Sequence, residues 1–397
     1  MAMAPISGTP ASGLRTDFSR MEWVALLFVV CCGFSSQMVM PLWVAAVIED
    51  LGLSEAAAGR IGSFEFMAVA IVSVLVALRI RLFPTRITAA IGVLLLVLGN
   101  LGSAWATQEG TLIAFRMLCG IGKGLVVAIT FSLVAGSARP TRAFAVLNVV
   151  YGIFSTIFYL TIPLAIRWDG AHGAFLGMAI VAIAGALFMP RFPAERLVSS
   201  DMTGLKLREI PKFGILAFVA LIILWSGHNV IWTFIARIGS HAGMSVTQVG
   251  SVLSLSAFLT IAGPGLVRAI DTRLGYGTPM MIAILLKIVA VLMIGYVATA
   301  GVYSFAVPAF MLLSLFITPY VMGILSLADP AGRLAAASSA AMTAGASAGA
   351  YLGGLVLGDG SYVGLAWMAV AHFVVFTVIV FAVSPLANRH AAAATAG

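Results

Sequence analysis

The sequence predicts an all-α integral membrane protein whose twelve transmembrane helices form two pseudo-symmetric six-helix bundles. Three observations lead there. Of 397 residues, 61% are hydrophobic and 9% are charged, whereas soluble domains carry roughly 25% charged residues. Apolar stretches of about 20 residues, each long enough to cross a hydrocarbon core of about 30 Å, recur along the whole length. A stretch of the first half also reappears in the second, 191 residues further on.

Residues 1–21, rich in Ala, Ser, Gly and Pro, form a tail expected to be disordered. The first apolar run, 22–47, is too long for the apolar region of a signal peptide. No small-residue cleavage site follows it, so it is read as the first span. Further spans fall at 56–78, 87–105, 111–135, 142–166 and 172–190, completing an N-terminal bundle over 22–190. Short connections such as "RIRLFPTR" and "SARPTR" hold the residues that stop helices. The longest connection, 191–212, divides the spans six and six. The C-terminal bundle, 213–384, comprises spans at 213–237, 247–270, 279–298, 303–326, 334–357 and 361–384. A second tail, 385–397, ends in "NRHAAAATAG" and is also expected to be disordered.

Of the 22 lysines and arginines, sixteen fall on the side shared by both termini and the linker. Arg60, Arg167 and Arg237 fall on the other side. Short loops with this bias face the cytoplasm. A multi-pass protein of the cell's inner (plasma) membrane with both termini cytoplasmic is therefore expected. The net charge of +8 is a topology signal, so nucleic acid is not expected as a partner. The expected partners are membrane lipids and a small-molecule solute, bound by a monomer. Cys31, Cys32 and Cys119 all lie in predicted spans and show neither a metal pattern nor a disulfide framework.

"LGLSEAAAG" (51–59) aligns with "AGMSVTQVG" (242–250), and the same register pairs "FSSQMVMPLWV" (34–44) with "WSGHNVIWTFI" (225–235). Gln37 then falls opposite His228. Parallel copies of this kind place a binding site between the halves, near the bilayer midplane.

With this layout, three short stretches resemble the major facilitator superfamily of secondary transporters. "RMLCGIGKG" (Arg116, Gly120, Gly122, Gly124) is similar to the family's motif in the fourth helix. "GPGLVRAIDTRLGYG" (263–277) resembles its Gly/Asp/Arg loop motif, which implies a gating role for Asp271, Arg273 and Gly275. "GASAGAYLGG" (345–354) is similar to the glycine motif of family exporters, with Ala350 where a proline is usual. Two departures stand out: the matching loop of the first half, "LRIRLFPTR", lacks the aspartate, and the fifth span lacks the exporters' Gly-Pro motif.

A charge at a helix centre costs about 2.5–3.5 kcal/mol on insertion scales, so such residues usually face a cavity or a partner. At about 1.5 Å per residue, Lys123 lies roughly 18 Å down the fourth span and Arg116 about 8 Å. Being seven apart, with Gly120 between, they share a face, which is expected to line the central cavity. Glu65, about 13 Å into the second span, is the only carboxylate deep in any span. It can serve proton coupling, poised between burial and a nearby cation, or pair permanently with Arg116 or Lys123. The resemblance implies coupling for the matching arginine, Arg116, which can instead brace backbone carbonyls. Lys123 is expected to attract an anionic substrate group or to pair with Glu65. His228, flanked by Trp225 and Trp232, is a candidate for proton exchange and for substrate contact, or an ordinary interior histidine. Gln37, Asn148 and Asn229 are candidates for orienting hydrogen bonds. The resemblance puts Lys287 and His372 in peripheral helices, where structural or interfacial roles are expected.

The leading expectation is a proton-coupled secondary transporter of a small organic solute, anionic or aromatic, working by alternating access. The proton gradient is the driving force and no cofactor is expected. A multidrug or metabolite efflux proton antiporter is the close alternative, and a non-transporting receptor or scaffold is the alternative of another class. No metal-ligand spacing, phosphate loop or nucleophile triad is present to support an enzyme.

Overall fold

The computed structural model describes residues 18–79, 82–137, 139–194, 210–261, 275–296, 299–329, 333–358 and 360–396. Among these the regular structure is helical. The helices of the first half are α1 (Arg20–Met38), α2 (Met40–Leu51), α3 (Glu55–Leu78), α4 (Thr85–Trp105), α5 (Glu109–Ala135) and α6 (Pro140–Phe188). Those of the second are α7 (Lys212–Trp232), α8 (Ile235–His241), α9 (Val246–Thr260), α10 (Gly277–Tyr296), α11 (Ala300–Ala328), α12 (Arg333–Gly358) and α13 (Tyr362–Ala396).

Local chemistry sets several boundaries. Ser54 and Ser245, paired by the repeat, both cap the helix that follows, accepting hydrogen bonds from the N–H groups of Ala57 and Gln248. The long α6 is two spans joined at a break, because Asp169 and Gly170 leave helical geometry and Gly170 takes φ 53°. A Cβ on Gly170 would also lie 2.5 Å from the Asp50 carboxylate. The alanine-rich end of α13 continues to Ala396, so most of the expected C-terminal tail is helical. Alanine has the highest helix propensity of any residue.

The 191-residue offset runs far beyond the stretch where sequence alone displays it. Adding 191 to the first residues of α1, α3, α4, α5 and α6 lands within two residues of the starts of α7, α9, α10, α11 and α12. The halves meet at two seams that obey the same rule. Gly59 of α3 lies against α12, where a Cβ would fall 2.6 Å from the Ala350 carbonyl oxygen and 2.8 Å from Gly354 Cα. Its repeat mate Gly250 of α9 lies against α6, where a Cβ would fall 2.5 Å from the Tyr159 carbonyl oxygen and from Pro163 Cγ. Ser347 Oγ donates to the Ser63 carbonyl at 2.9 Å, and at the mated positions, with the roles reversed, Ser254 Oγ (mate of Ser63) donates to the carbonyl of Thr156 (mate of Ser347) at 3.0 Å. One contact is thus built twice, and it depends on small residues that let backbones approach.

The outward faces suit lipid. On α10, Ile282, Leu285, Leu286 and Val289 are exposed, while Ala283, Lys287, Ala290 and Val291 turn inward. Within α12, Gly345, Gly349 and Gly353 pack on α7: Cβ atoms there would lie 2.3, 2.2 and 2.9 Å from the carbonyl oxygens of Ile222, Ser226 and Val230. Cys31, Cys32 and Cys119 are free and buried.

Candidate functional site

The first span is broken where the site begins. Pro41 cannot donate a backbone hydrogen bond, and Val39 leaves helical geometry between α1 and α2. Two side chains take up carbonyls at the break: Tyr159 Oη donates to the Met38 carbonyl at 2.7 Å, and Trp43 Nε1 to that of Ser36 at 3.2 Å. Such repair is what permits a helix break inside a bilayer. The mated span breaks between α7 and α8, and there Tyr303 Oη donates to the Ile235 carbonyl at 3.0 Å.

Next to these breaks, between the halves, is a cavity of about 110 Å³. From the first half it is lined by Gln37, Tyr151, Ser155 and Tyr159, and from the second by Trp225, His228, Asn229, Trp232 and Ser314. Ligand pockets for drug-sized molecules measure about 300–1,000 Å³, so this cavity is smaller than such a ligand needs. Aromatic rings dominate. His228 is stacked between Trp232 (centroids 6.0 Å apart) and Phe310 (4.7 Å), with Trp225 edge-on at 5.3 Å.

Behind His228 lies a buried lysine. Lys287 Nζ is 3.3 Å from His228 Nδ1, hydrogen-bonds Ser314 Oγ, and lies 4.2 and 5.1 Å from the Phe310 and Phe373 ring centroids. Ser314 Oγ is itself 3.0 Å from His228 Nδ1 and donates to the Phe310 carbonyl at 3.0 Å. In the first half Lys123 Nζ donates to Gln37 Oε1 and lies 5.2 and 5.3 Å from the rings of Phe34 and Phe66. The repeat pairs Gln37 with His228 and Lys123 with Ser314, so the Gln37–Lys123 contact corresponds to the His228–Ser314 contact, while Lys287 enters from a non-equivalent helix.

Glu65 and Arg116 form a second cluster. Arg116 is fully buried: its Nη2 donates to Asn100 Oδ1 at 2.9 Å, and its Nε lies 3.4 Å from Glu65 Oε2. The guanidinium lies 5.7 Å from the Trp43 ring centroid and 5.3 Å from that of Phe175. Ser36 Oγ donates to Glu65 Oε2 at 3.0 Å.

The arrangement differs from the sequence expectation in four places. Arg116 and Lys123 do share a face, but that face packs on α3: a Cβ on Gly120 would meet the Glu65 carbonyl at 2.4 Å. Neither cation lines the cavity; Lys123 reaches it only through Gln37. Asn148 is exposed and does not line the cavity, whereas Tyr151, Ser155 and Tyr159 of the same helix do. Lys287, expected at the periphery, is buried against His228. His372 Nε2 lies 3.2 Å from Ser226 Oγ of α7. Asp271 and Arg273 lie outside the described residues; Gly275 occupies a left-handed turn at φ 71° beside Asn388.

Asn100, the partner of Arg116, is not among the residues the sequence singles out, although a lone asparagine in "LLLVLGNLGSAW" is a signal of a buried polar partner. The alternation of Ala283, Lys287 and Ala290 with bulky aliphatics on α10 likewise marks the inward face of that helix.

On the face opposite the termini the halves are joined by charge. Arg237 of α8 is 3.1 Å from Glu49 of α2 and 3.7 Å from Glu55 of α3. Arg60 and Glu109 pair at 2.6 Å within the first half.

A family model described as Major Facilitator Superfamily matches residues 25–352. The purine ribonucleoside efflux pump NepI of Escherichia coli O6:K15:H31 (strain 536 / UPEC) is 23% identical over 267 residues, covering 64% of this chain and 67% of that protein. NepI of Shigella sonnei (strain Ss046) is 23% identical over 283 residues, covering 67% and 70%. Among solved structures, the nucleoside transporter NupG matches with a TM-score of 0.72 at 14% identity, over 91% of this chain and 99% of that one. The peptide transporter POT in complex with sulfate matches with a TM-score of 0.74 at 14% identity, over 96% and 98%. These structural likenesses speak to the fold.

Proposed function

The chain belongs to the Major Facilitator Superfamily and is a secondary transporter, not an enzyme; from that premise we propose that it exports a small aromatic solute of the nucleoside kind in exchange for protons. The observation that carries this reading is the cavity between the halves, where Trp225, Trp232, Tyr151 and Tyr159 supply ring faces and Gln37, His228 and Asn229 supply hydrogen bonds. Aromatic walls with a few placed polar groups suit a heteroaromatic cargo. An anionic cargo is less well served, because both cavity-side lysines are shielded by the residues in front of them. The efflux pumps among the relatives favour the outward direction.

Alternating access follows from the two seams. Glu65 is two residues along α3 from Ser63, which bonds across to Ser347. Rocking of α3 against α12 would therefore carry the helix that bears Glu65. In the present state its carboxylate is held by Ser36 and Arg116. Proton exchange at Glu65 is assigned to the step in which the seam shifts and this hold loosens. Both termini face the cytoplasm in this scheme, so the Arg237 clamp closes the outer side.

The test is flux in proteoliposomes carrying the purified protein, with radiolabelled adenosine and an imposed proton gradient. Adenosine should accumulate against its own gradient, and collapsing the proton gradient should stop it. Glu65→Gln should bind adenosine yet lose the response to the gradient. Equal flux with and without the gradient in the wild type would exclude coupling.

A further inference from the structure

Three donor groups converge on the cavity, and two of them are fixed by lysines that never reach it. His228 Nδ1 faces Lys287 Nζ at 3.3 Å and Ser314 Oγ at 3.0 Å. Two groups compete for Nδ1. The Ser314 hydroxyl accepts from Lys287 and donates to the Phe310 carbonyl, so towards the ring it has only a lone pair to offer, which would take a proton on Nδ1. A charged Lys287 has no lone pair and can only donate to the ring. With Lys287 donating, Nδ1 keeps its lone pair and the neutral imidazole carries its proton on Nε2; without it, Nδ1–H would turn to Ser314. No hydrogen bond engages Nε2 among the described residues, and the ring lines the cavity. A doubly protonated ring would set two cations 3.3 Å apart, which like-charge repulsion opposes.

Gln37 is fixed in the same way. Lysine has no acceptor to offer an amide N–H, so the Gln37 carbonyl oxygen must turn to Lys123, and its NH2 is left for the cavity. Trp225 also lines the cavity, and its Nε1 is buried without a hydrogen-bond partner among the described residues, a third donor free to turn to a cargo. Asn229 contributes the opposite polarity: its Nδ2 donates to the Trp225 carbonyl at 2.9 Å, leaving Oδ1 to accept.

We propose that Lys287 and Lys123 are positioning residues that set His228 and Gln37 as N–H donors, one from each half, so that the site selects a neutral aromatic solute by acceptor atoms on its ring edge. The inference rests on the reading of this cavity as the cargo site and adds the rule by which cargo is chosen. The two lysines come from non-equivalent helices, α5 and α10, yet act on residues that the repeat makes equivalent. A charge placed behind a neutral group polarises it without offering a counter-ion to an anion.

Nitrogen-15 NMR of histidine-labelled protein, assigned with His228→Gln, reads the tautomer directly. The wild type should show the Nε2–H form of His228 at pH 7, and Lys287→Met should gain the Nδ1–H form. Lys287→Met removes a buried cation with no carboxylate partner among the described residues, a change that buried sites often tolerate; if that variant did not fold, the wild-type spectrum would still decide.

The selection rule is read by binding of adenosine and its 1-, 3- and 7-deaza analogues, each of which replaces one ring nitrogen by C–H. At least one analogue should bind about tenfold more weakly to the wild type, as loss of a partner for a buried donor implies. In Lys287→Met or Lys123→Met that penalty should shrink to about twofold, and Lys287→Arg, a permanent donor, should restore it. A proton on Nδ1 in the wild type, or deaza penalties unchanged in both lysine variants, would overturn the proposal. If neither adenosine nor any analogue bound the wild type, the cargo reading would fall instead, while the tautomer would still decide whether Lys287 fixes His228.

Discussion

Glu65 and Arg116 should behave as one energetic unit, and a double-mutant cycle can weigh it. With 3.4 Å between Nε and Oε2 and an effective dielectric constant of about 20, the Coulomb attraction is about 5 kcal/mol. Removing one partner from such a pair costs about 3–5 kcal/mol, because the other charge is left buried. Glu65→Gln should fall at the lower end, since a Gln oxygen can still accept from the guanidinium. Arg116→Leu leaves Glu65 with Ser36 as its remaining partner and should cost at least as much. The double variant should lie within about 1–2 kcal/mol of the wild type, because two neutral side chains need no counter-charge. Unfolding free energies from SDS titration in mixed micelles would supply the four corners. These corners imply a coupling of about 4 kcal/mol or more, at or above the top of the usual range for residues in contact. A coupling below about 0.5 kcal/mol would mean that Asn100 and the two aromatic rings hold Arg116 unaided, and the pair could not be the element that answers to protonation.

Other outcomes follow from the same geometry. Arg237→Gln breaks two partly exposed ion pairs, each worth about 0.2–1 kcal/mol, so the face opposite the termini should open about two- to thirtyfold more often. Spin-label distances across that face check it, and an unchanged distribution would remove Arg237 as a clamp. Gly59→Ala and Gly250→Ala should each destabilise by about 1–3 kcal/mol and slow transport, since a Cβ at either seam meets backbone it cannot displace. Gly243→Ala is the control: it has φ 79° and open space around it, so its melting temperature should fall through backbone strain alone and flux should persist.

The fold was legible because composition and apolar length are decided by the solvent, and lipid leaves little choice. The repeat register was legible from Ser54 and Ser245, since a helix cap must be one of a few residue types. The site was less so. Helical spacing put Arg116 and Lys123 on one face, but spacing cannot say which neighbour a face meets, and Gly120 turned it towards α3. Asn148 lies three residues before Tyr151 on α6, and so minor a difference in azimuth separates an exposed amide from a cavity wall. Lys287 was hidden by an argument from helix position. Its neighbours Ala283 and Ala290 show that the helix turns this face to the interior.

The free, buried cysteines have a practical consequence. Cys31, Cys32 and Cys119 are each at most 1% exposed, so an aqueous maleimide meets no ready thiol in this conformation. A cysteine introduced at the seam in place of Ser254, itself 5% exposed, would then be labelled only as the seam opens, on a quiet background and without first stripping the chain of its own sulfur. Conversely, any slow modification of the native protein would report the bundle interior opening to water, and mass spectrometry would say at which helix.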